Sequence, residues 1–277
     1  MVMWEPGSLS YVSRTVRGVR LEALELGSGR TLLFLHAGYG LDFEAASLER
    51  LATQARVIAP THPGFGGSER PSSMTTVDDV AYLYLDLLQE LDLRDVTLVG
   101  VSLGAWIAAE IAVKSTERLA KLVLANAVGI KVGNRETRDI ADIFAMTEDE
   151  FNAAAFADPA VAVRDYNSMP EAQVLRVAKN REALARFAWS PYMHNPKLSS
   201  RLHRVNVPTL FLWGSRDHIV SQDYGRAYCA AVPGARFELI EAAGHFPHIE
   251  QPEVFAAKVL DFMECDGSSR RFVGAGL

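Results

Sequence analysis

The 277-residue chain is 49% hydrophobic, which is enough to form the buried core of one large domain or two small ones. Its 28 basic and 34 acidic residues give a formal net charge of −6, and no long run of either sign occurs. This balance argues against binding to nucleic acid or to an anionic membrane. The two cysteines, Cys229 and Cys265, match no metal-binding or redox spacing, and we interpret Cys229 as filling space within a helix.

No export or membrane signal is found in the sequence. The N-terminus lacks a basic stretch followed by an apolar run, and no segment is long and apolar enough to span a bilayer. We therefore expect no signal peptide, no membrane association and a cytoplasmic location. No internal repeat is found.

Short apolar or alternating segments predict the strands in the first part of the chain. The alternating segments at residues 8–16 and 19–26 predict an antiparallel edge pair. Apolar segments at 31–35 and 56–59 predict strands buried on both faces, with a helix at about 42–54 between them.

The next predicted helix has one apolar face, and Thr75 is predicted to cap it. Apolar side chains recur along it at helical spacing, and these are Val77, Val80, Ala81, Tyr84, Leu87, Leu88 and Leu91.

A glycine-rich turn with a serine at its centre joins the following strand and helix. The strand is predicted at residues 96–99 and the alanine-rich helix at 105–113, and Gly100-Val101-Ser102-Leu103-Gly104 lies between them. Such a short turn strains the central residue and leaves no room for side chains two positions to either side. The serine then projects from the tip, and the N–H groups of the helix N-terminus point at what it attacks. The alternative is that Ser102 only caps the helix.

The alternation of strands and helices predicts a parallel sheet with helices on both faces. A further apolar strand is predicted at 119–125. Ligands of such sheets bind at the carboxyl ends of the strands, and His36, Ser102 and Asn126 each follow a predicted strand.

The pattern changes between about residues 129 and 206. Helix-like stretches are separated by Asp158-Pro159, Met169-Pro170 and Ser190-Pro191, and no buried strand is predicted among them. At most a few of the segment's apolar side chains, Trp189 for example, are expected to line a ligand pocket. The large apolar side chains considered are Phe144, Met146, Phe151, Phe156, Tyr166, Met169, Phe187, Trp189, Tyr192 and Met193.

Alternation then resumes to the end of the chain. Strands are predicted at 207–213 and 236–240, with a helix reaching about residue 231 between them and a final helix at 251–263. The Gly/Ser/Arg-rich residues 266–277 are expected to be a flexible tail.

Ser102, Asp217 and His245 each follow a predicted strand, so one edge of the sheet can bring them together. A serine hydroxyl is a poor nucleophile until an imidazole takes its proton. A buried carboxylate must hold that imidazole in the right tautomer and stabilise the imidazolium. These three residues are therefore the predicted nucleophile, acid and base.

On these residues the chain resembles the α/β-hydrolases over about residues 8–264, most closely at 214–217 and 244–252. The order Ser, Asp, His is that of the family. The resemblance implies an α/β-hydrolase core at 1–128 and 207–265, with a mostly parallel central sheet. It also implies a helical cap at 129–206 over the active site.

The resemblance also implies an oxyanion hole. His36-Ala37-Gly38 stands where the family usually has His-Gly-x, so the N–H groups of Gly38 and Leu103 are expected to form the hole. Ala37 replaces the usual glycine, and His36 is expected to brace the loop without reacting. Residues 61–68 resemble the family's Asp-x-x-Gly-x-Gly-x-Ser turn.

Other residues near the predicted acid and base are alternative candidates for these roles. His248 is a weaker candidate base because it follows Pro247 where the last helix begins. His218 adjoins the acid and would point away from it. Some relatives place the acid after the preceding strand, but Asn126 there has no carboxylate. Asp217 as a turn former is the remaining alternative.

With serine at the turn, the resemblance implies an acyl-enzyme, whereas relatives that displace halide or open epoxides use aspartate. No metal or nucleotide signature is present, so no cofactor and no metal are expected.

We expect a cofactor-free serine hydrolase acting on a small, largely apolar carboxylic ester. The alternatives are a carbon–carbon bond hydrolase of aromatic ring-cleavage products, an enol-lactonase, a cofactor-free haloperoxidase, or a slow-turnover ligand-binding receptor. The expected partner is a small-molecule substrate. The sequence leaves open whether the chain forms a homo-oligomer.

Overall fold

The computed structural model describes residues 10–134 and 136–265. The predicted tail and the first two residues of the first predicted strand lie outside these ranges. Eight strands of the described chain form one sheet in the order β1-β2-β4-β3-β5-β6-β7-β8. They are β1 (Val12–Val16), β2 (Val19–Leu26), β3 (Arg30–Leu35), β4 (Ala55–Pro60), β5 (Val96–Val101), β6 (Leu119–Ala125), β7 (Thr209–Gly214) and β8 (Arg236–Ile240).

Helices occupy the connections between the strands. They are α1 (Ala45–Leu51), α2 (Val77–Glu90), α3 (Leu103–Lys114), α4 (Glu148–Ala155), α5 (Glu171–Ala188), α6 (Gln222–Ala230), α7 (Pro247–Glu250) and α8 (Pro252–Glu264). Short 3₁₀ turns lie at Leu41–Phe43, Pro159–Ala162 and Ser199–Arg204.

The sheet is parallel from β4 through β8 and antiparallel at one edge, where β1 pairs with β2 and β2 with β4. The predicted antiparallel edge pair is confirmed. Arg17 and Gly18 both have positive φ (48° and 79°), which is the backbone of a two-residue hairpin turn.

The middle of the sheet is covered on both faces. All six residues of β5 are buried, and successive side chains of a strand point to opposite faces. Helix α3 is buried along all but its last residue. The predicted fold class is therefore confirmed: α/β, with a mostly parallel central sheet between helices.

Two local predictions differ from the structure. The cap of α2 is Thr76 and not Thr75, because Thr76 Oγ1 accepts the Asp79 N–H and the Asp79 carboxylate accepts the Thr76 N–H. The helix predicted at 42–54 is a 3₁₀ turn followed by α1, broken at Glu44. The Glu44 side chain is buried and accepts a hydrogen bond from the Ala37 N–H, which draws it out of the helical path.

The β6–β7 segment (residues 126–208) contains α4 and α5. No strand longer than an isolated bridge occurs in its described residues. Pro159 begins a 3₁₀ turn, Pro170 precedes α5, and α5 ends two residues before Ser190, so the proline pairs separate the helical pieces as expected. The division of the chain into a core domain and a cap domain stays a prediction. In residues 10–134 and 136–265 no helix is long and apolar enough to cross a membrane.

Candidate active site

Ser102 lies at a strained turn between β5 and α3. Its φ is 52° and its ψ is −112°, which side chains adopt only at a cost. A Cβ on Gly100 would lie 2.3 Å from the Gly104 carbonyl oxygen, and one on Gly104 would lie 2.0 Å from the Leu35 carbonyl oxygen. Both positions therefore require glycine. Ser102 makes no side-chain capping bond, so the structure does not support the helix-cap alternative.

The Ser102 hydroxyl faces His245 instead. Its Oγ lies 2.8 Å from His245 Nε2, and His245 Nδ1 lies 2.8 Å from Asp217 Oδ2. A carboxylate only accepts hydrogen bonds, so Nδ1 carries the proton and Nε2 is free to accept from the serine. The structure thus brings the three predicted residues into one hydrogen-bonded row, and all three are buried.

Asp217 is held by more than the imidazole. Its Oδ1 accepts the N–H groups of Ile219 (2.8 Å) and Val220 (2.9 Å), and its Oδ2 accepts from Asn126 Nδ2 (2.7 Å). These bonds satisfy a carboxylate that is only 6% exposed. They also fix which oxygen faces His245. If Asp217 only formed the turn, that role would explain the hydrogen bonds to Oδ1 but not those to Oδ2.

The loops that carry the acid and the base are both bonded to the end of α4. The N–H groups of His218 and His245 donate to the carbonyl oxygens of Ala154 (3.1 Å) and Ala155 (2.6 Å). The last carbonyls of a helix have no partner within it, so they are free to accept these bonds. A Cβ on Gly244 would lie 2.3 Å from the Ala155 oxygen. The glycine before the base is therefore needed for this approach.

Gly38 and Leu103 line the same pocket as Ser102 and His245. Neither backbone N–H donates a hydrogen bond to another residue of the described chain. Leu103 is the first residue of α3, where a free N–H is normal. Both residues therefore line the pocket with an N–H group that has no partner among the described residues, and their role as the oxyanion hole stays a prediction.

The pocket above Ser102 is lined mainly by apolar side chains, many of them from the β6–β7 segment. Four of the apolar residues singled out in the sequence line it, and these are Phe144, Phe151, Tyr166 and Met193. The expectation for Trp189 is wrong. Its side chain is 62% exposed and packs on the outer side of Phe144, with ring centroids 5.4 Å apart, and it does not line this pocket.

The sequence also matches a family of known proteins. The family model described as "Alpha/beta hydrolase family" matches residues 32–258. The chain belongs to the alpha/beta hydrolase family.

The relatives of this hydrolase include named enzymes. It is 27% identical to the 2-hydroxy-6-oxononadienedioate/2-hydroxy-6-oxononatrienedioate hydrolase of Cupriavidus pinatubonensis, over 88% of this chain and 90% of that protein. It is also 27% identical to the 2-hydroxymuconate semialdehyde hydrolase of a Pseudomonas species, over 91% and 93% of the two chains. A solved bromoperoxidase from Bacillus anthracis has the same fold, with a TM-score of 0.74, 21% identity and coverage of 92% and 100%.

Two stacked, neutral histidines hold the loop that carries Gly38. His36 Nε2 accepts the His62 N–H (2.8 Å), and His36 Nδ1 donates to the Ala37 carbonyl. His62 Nε2 donates to the His36 carbonyl, and its Nδ1 accepts from the Tyr84 hydroxyl. The rings are 3.7 Å apart. Burial lowers the pKa of His36, and burial together with the His36 ring holds the pKa of His62 well below its usual value. The expected bracing role of His36 fits these contacts.

Sequence reasoning missed the contribution of Asn126. It set this residue aside because an amide cannot replace the carboxylate, yet the side chain bonds the carboxylate of Asp217 and accepts from the Gly214 N–H (3.3 Å). Asn126 has a φ of 43°, which asparagine tolerates better than most residues. The signal available in the sequence was its place directly after β6.

The competing histidines lie elsewhere. His248 is buried with its Nε2 3.4 Å from Glu44 Oε1, and His218 is exposed. Within the described ranges, no group of three or more His, Cys, Asp and Glu side chains is arranged to hold a metal ion. That finding does not test the expected absence of a cofactor, which stays a prediction.

Proposed function

We propose that this hydrolase is a cofactor-free serine hydrolase that cleaves a carboxylic ester or a related acyl compound through an acyl-enzyme. The observation that carries the proposal is the row Ser102–His245–Asp217, with two 2.8 Å contacts, beside two backbone N–H groups in one pocket. In the proposed first step Ser102 Oγ attacks the carbonyl carbon while His245 Nε2 takes the hydroxyl proton.

The tetrahedral oxyanion then accepts the N–H groups of Leu103 and Gly38. As the intermediate collapses, the carbonyl–oxygen bond to the alcohol breaks and His245 gives its proton to the leaving oxygen. A water molecule next attacks the acyl-enzyme with His245 as base, which releases the acid and restores Ser102. Asp217 stabilises the imidazolium in both steps without taking a proton.

A second candidate is hydrolysis of a carbon–carbon bond in a product of aromatic ring cleavage. It is supported by the similarity to two relatives that are named as hydrolases of an oxononadienedioate and of a muconate semialdehyde. The same serine, base and oxyanion donors would serve this chemistry. The two candidates are separated by the substrate that is turned over.

Replacing Ser102 tests the proposal. Ser102→Ala should lower kcat for a short 4-nitrophenyl ester by about 10⁴-fold or more, because no other group can form the acyl-enzyme. A fluorophosphonate should label wild type on Ser102, as read by peptide mass mapping. Ser115→Ala, at the other end of α3, is the matched control and should keep both activity and labelling.

Three results would contradict the proposal. These are a label on another serine, no label at all, and an alanine variant that retains its activity. A slow-turnover receptor would bind the ester but release nitrophenolate far below the kcat of about 10 s⁻¹ that is usual for enzymes.

A further inference from the structure

The pocket contains charged side chains that do not fit a purely apolar substrate. Arg164, Arg181 and Glu148 are among the residues that line it. Glu148 accepts a hydrogen bond from the Tyr166 hydroxyl (3.1 Å). Neither arginine has an acidic oxygen within 4.0 Å in the described structure. The lining thus has two unpaired cations and one anion.

Arg164 is held in place by aromatic rings. Its guanidinium carbon lies 4.7 Å from the ring centroid of Tyr39 and 4.2 Å from that of Phe43. These are cation–π contacts, and no hydrogen bond from the Arg164 side chain to a described residue accompanies them. Its Nε is fully buried and donates to no described residue. An arginine fixed in this way is preorganised for a planar anion.

Two arginines of the same segment that do not line the pocket are paired with carboxylates. Arg176 on α5 contacts Glu22 and Asp42, and Arg186 on the same helix contacts Glu182. An unpaired guanidinium with a buried nitrogen loses hydration without a compensating bond, so a ligand that supplies the missing acceptor is favoured. A carboxylate fits best because its two oxygens match the guanidinium fork.

We propose that Arg164, with Arg181 in the lining of the same pocket, binds a carboxylate of the substrate. The substrate class is then an acyl compound that carries a second, free carboxylate, such as the half-ester of a dicarboxylic acid. This inference rests on the proposed function and narrows the expected apolar ester to an anionic one. Arg164 acts on specificity and takes no part in bond making or breaking.

The test compares matched anionic and neutral substrates. The first pair is mono-4-nitrophenyl adipate and its ω-methyl ester, which places the charge on the acyl chain. The second pair is 4-carboxyphenyl hexanoate and its methyl ester, which places the charge on the leaving group. The readout is the charge preference, defined as kcat/KM for the anionic member divided by kcat/KM for the neutral member. Comparing variants cancels the intrinsic reactivity of each ester.

Arg164→Gln should lower the charge preference at least about tenfold in one of the pairs, the loss expected for one charge-assisted contact. Arg164→Lys should retain part of it, because the charge remains without the fork. Arg186→Gln removes a cation of the same segment that does not line the pocket, and it should leave the preference within about twofold of wild type.

A binding experiment keeps the inference separate from the proposed function. Adipate should bind Ser102→Ala at least about tenfold more tightly than Ser102→Ala/Arg164→Gln, whether or not either ester is turned over. Ester hydrolysis with the same charge preference in wild type and Arg164→Gln, together with equal or undetectable adipate binding by Ser102→Ala and Ser102→Ala/Arg164→Gln, overturns the carboxylate site and leaves the serine hydrolase standing. If wild type hydrolyses no ester but adipate binding depends on Arg164, the proposed serine hydrolase is contradicted and the carboxylate site stands.

Discussion

Both carboxylate oxygens of Asp217 accept hydrogen bonds, and this determines how strongly activity should depend on each residue that donates to them. The backbone N–H groups of Ile219 and Val220 hold Oδ1, while Oδ2 is shared by Asn126 and His245. The sequence predicted the acid, the base and the nucleophile because each follows a strand whose place in the sheet is readable from its apolar pattern. It did not predict Asn126 as their partner, because an asparagine after a strand belongs to no residue pattern that indicates a hydrogen bond to a carboxylate.

Replacing the acid should therefore cost far more than removing its side-chain partner. Asp217→Asn presents an N–H group or a reoriented amide to His245, which favours the wrong tautomer, and kcat should fall by about 10⁴-fold. Asn126→Ala removes one hydrogen bond to a carboxylate that keeps three others, and kcat should fall by about 10- to 100-fold. Steady-state hydrolysis of a 4-nitrophenyl ester measures both. Equal losses would mean that the acid is placed wrongly.

At the scale of the elements, Glu250 at the end of α7 joins the β6–β7 segment to the loop of the base. Its Oε2 accepts the Gly244 N–H (2.6 Å), and its Oε1 accepts those of Ala157 (2.7 Å) and Asp158 (3.1 Å). Burial raises the pKa of Glu250, while these three donors oppose the rise. We assign it the role of a positioning residue that acts through Gly244 on the base.

Glu250→Gln should lower kcat about tenfold with little change in KM. The amide nitrogen would face a backbone N–H, so the loop that carries His245 shifts while the pocket stays in place. The control is Glu253→Gln, one helix further on, whose exposed carboxylate contacts Arg50. A rise in KM with kcat unchanged would assign Glu250 to substrate binding. A loss of thermal stability with normal kcat would make it purely structural.

The boundaries of elements were predictable wherever local signals decide them. Strands β6 and β8 have the predicted bounds, because an apolar run flanked by polar residues is read directly from the sequence. The break at Glu44 was not predictable, because the competing hydrogen bond comes from Ala37 in another loop. The pocket lining was also hidden, since helical spacing does not tell which face of α5 meets the site.

At the scale of the whole molecule, two histidines are buried in their neutral forms in the loops that follow β3 and β4. The lowered pKa of both His36 and His62 means that the unfolded chain, with histidine pKa values of about 6.5, binds more protons than the folded one below that pH. Their contribution to stability is therefore present in full above about pH 6.5 and is lost as the pH falls below it.

The free energy of unfolding should accordingly decrease below about pH 6.5, with a slope of up to about 1.4 kcal/mol per pH unit for each histidine. Urea unfolding between pH 7.5 and 5 measures it. His62→Asn should reduce this slope by up to about 1.4 kcal/mol per pH unit, the amount that corresponds to one proton. His203→Asn, at an exposed site, should not alter the slope. An unchanged slope in His62→Asn would show that other groups cause the acid sensitivity. His36→Asn gives a second measurement should the first variant be too unstable.

The hydrogen bonds from the acid and base loops to α4 affect how this protein can be recombined with its relatives. The boundaries predicted from the sequence assign α4 to the cap. Its Ala154 and Ala155 carbonyls nevertheless accept hydrogen bonds from the backbone N–H groups of His218 and His245. An exchange of residues 129–206 between family members would thus replace part of the scaffold of the reactive groups along with the specificity surface. A chimera that retains this protein's own residues 148–158 avoids that mismatch, so the useful crossover lies after α4.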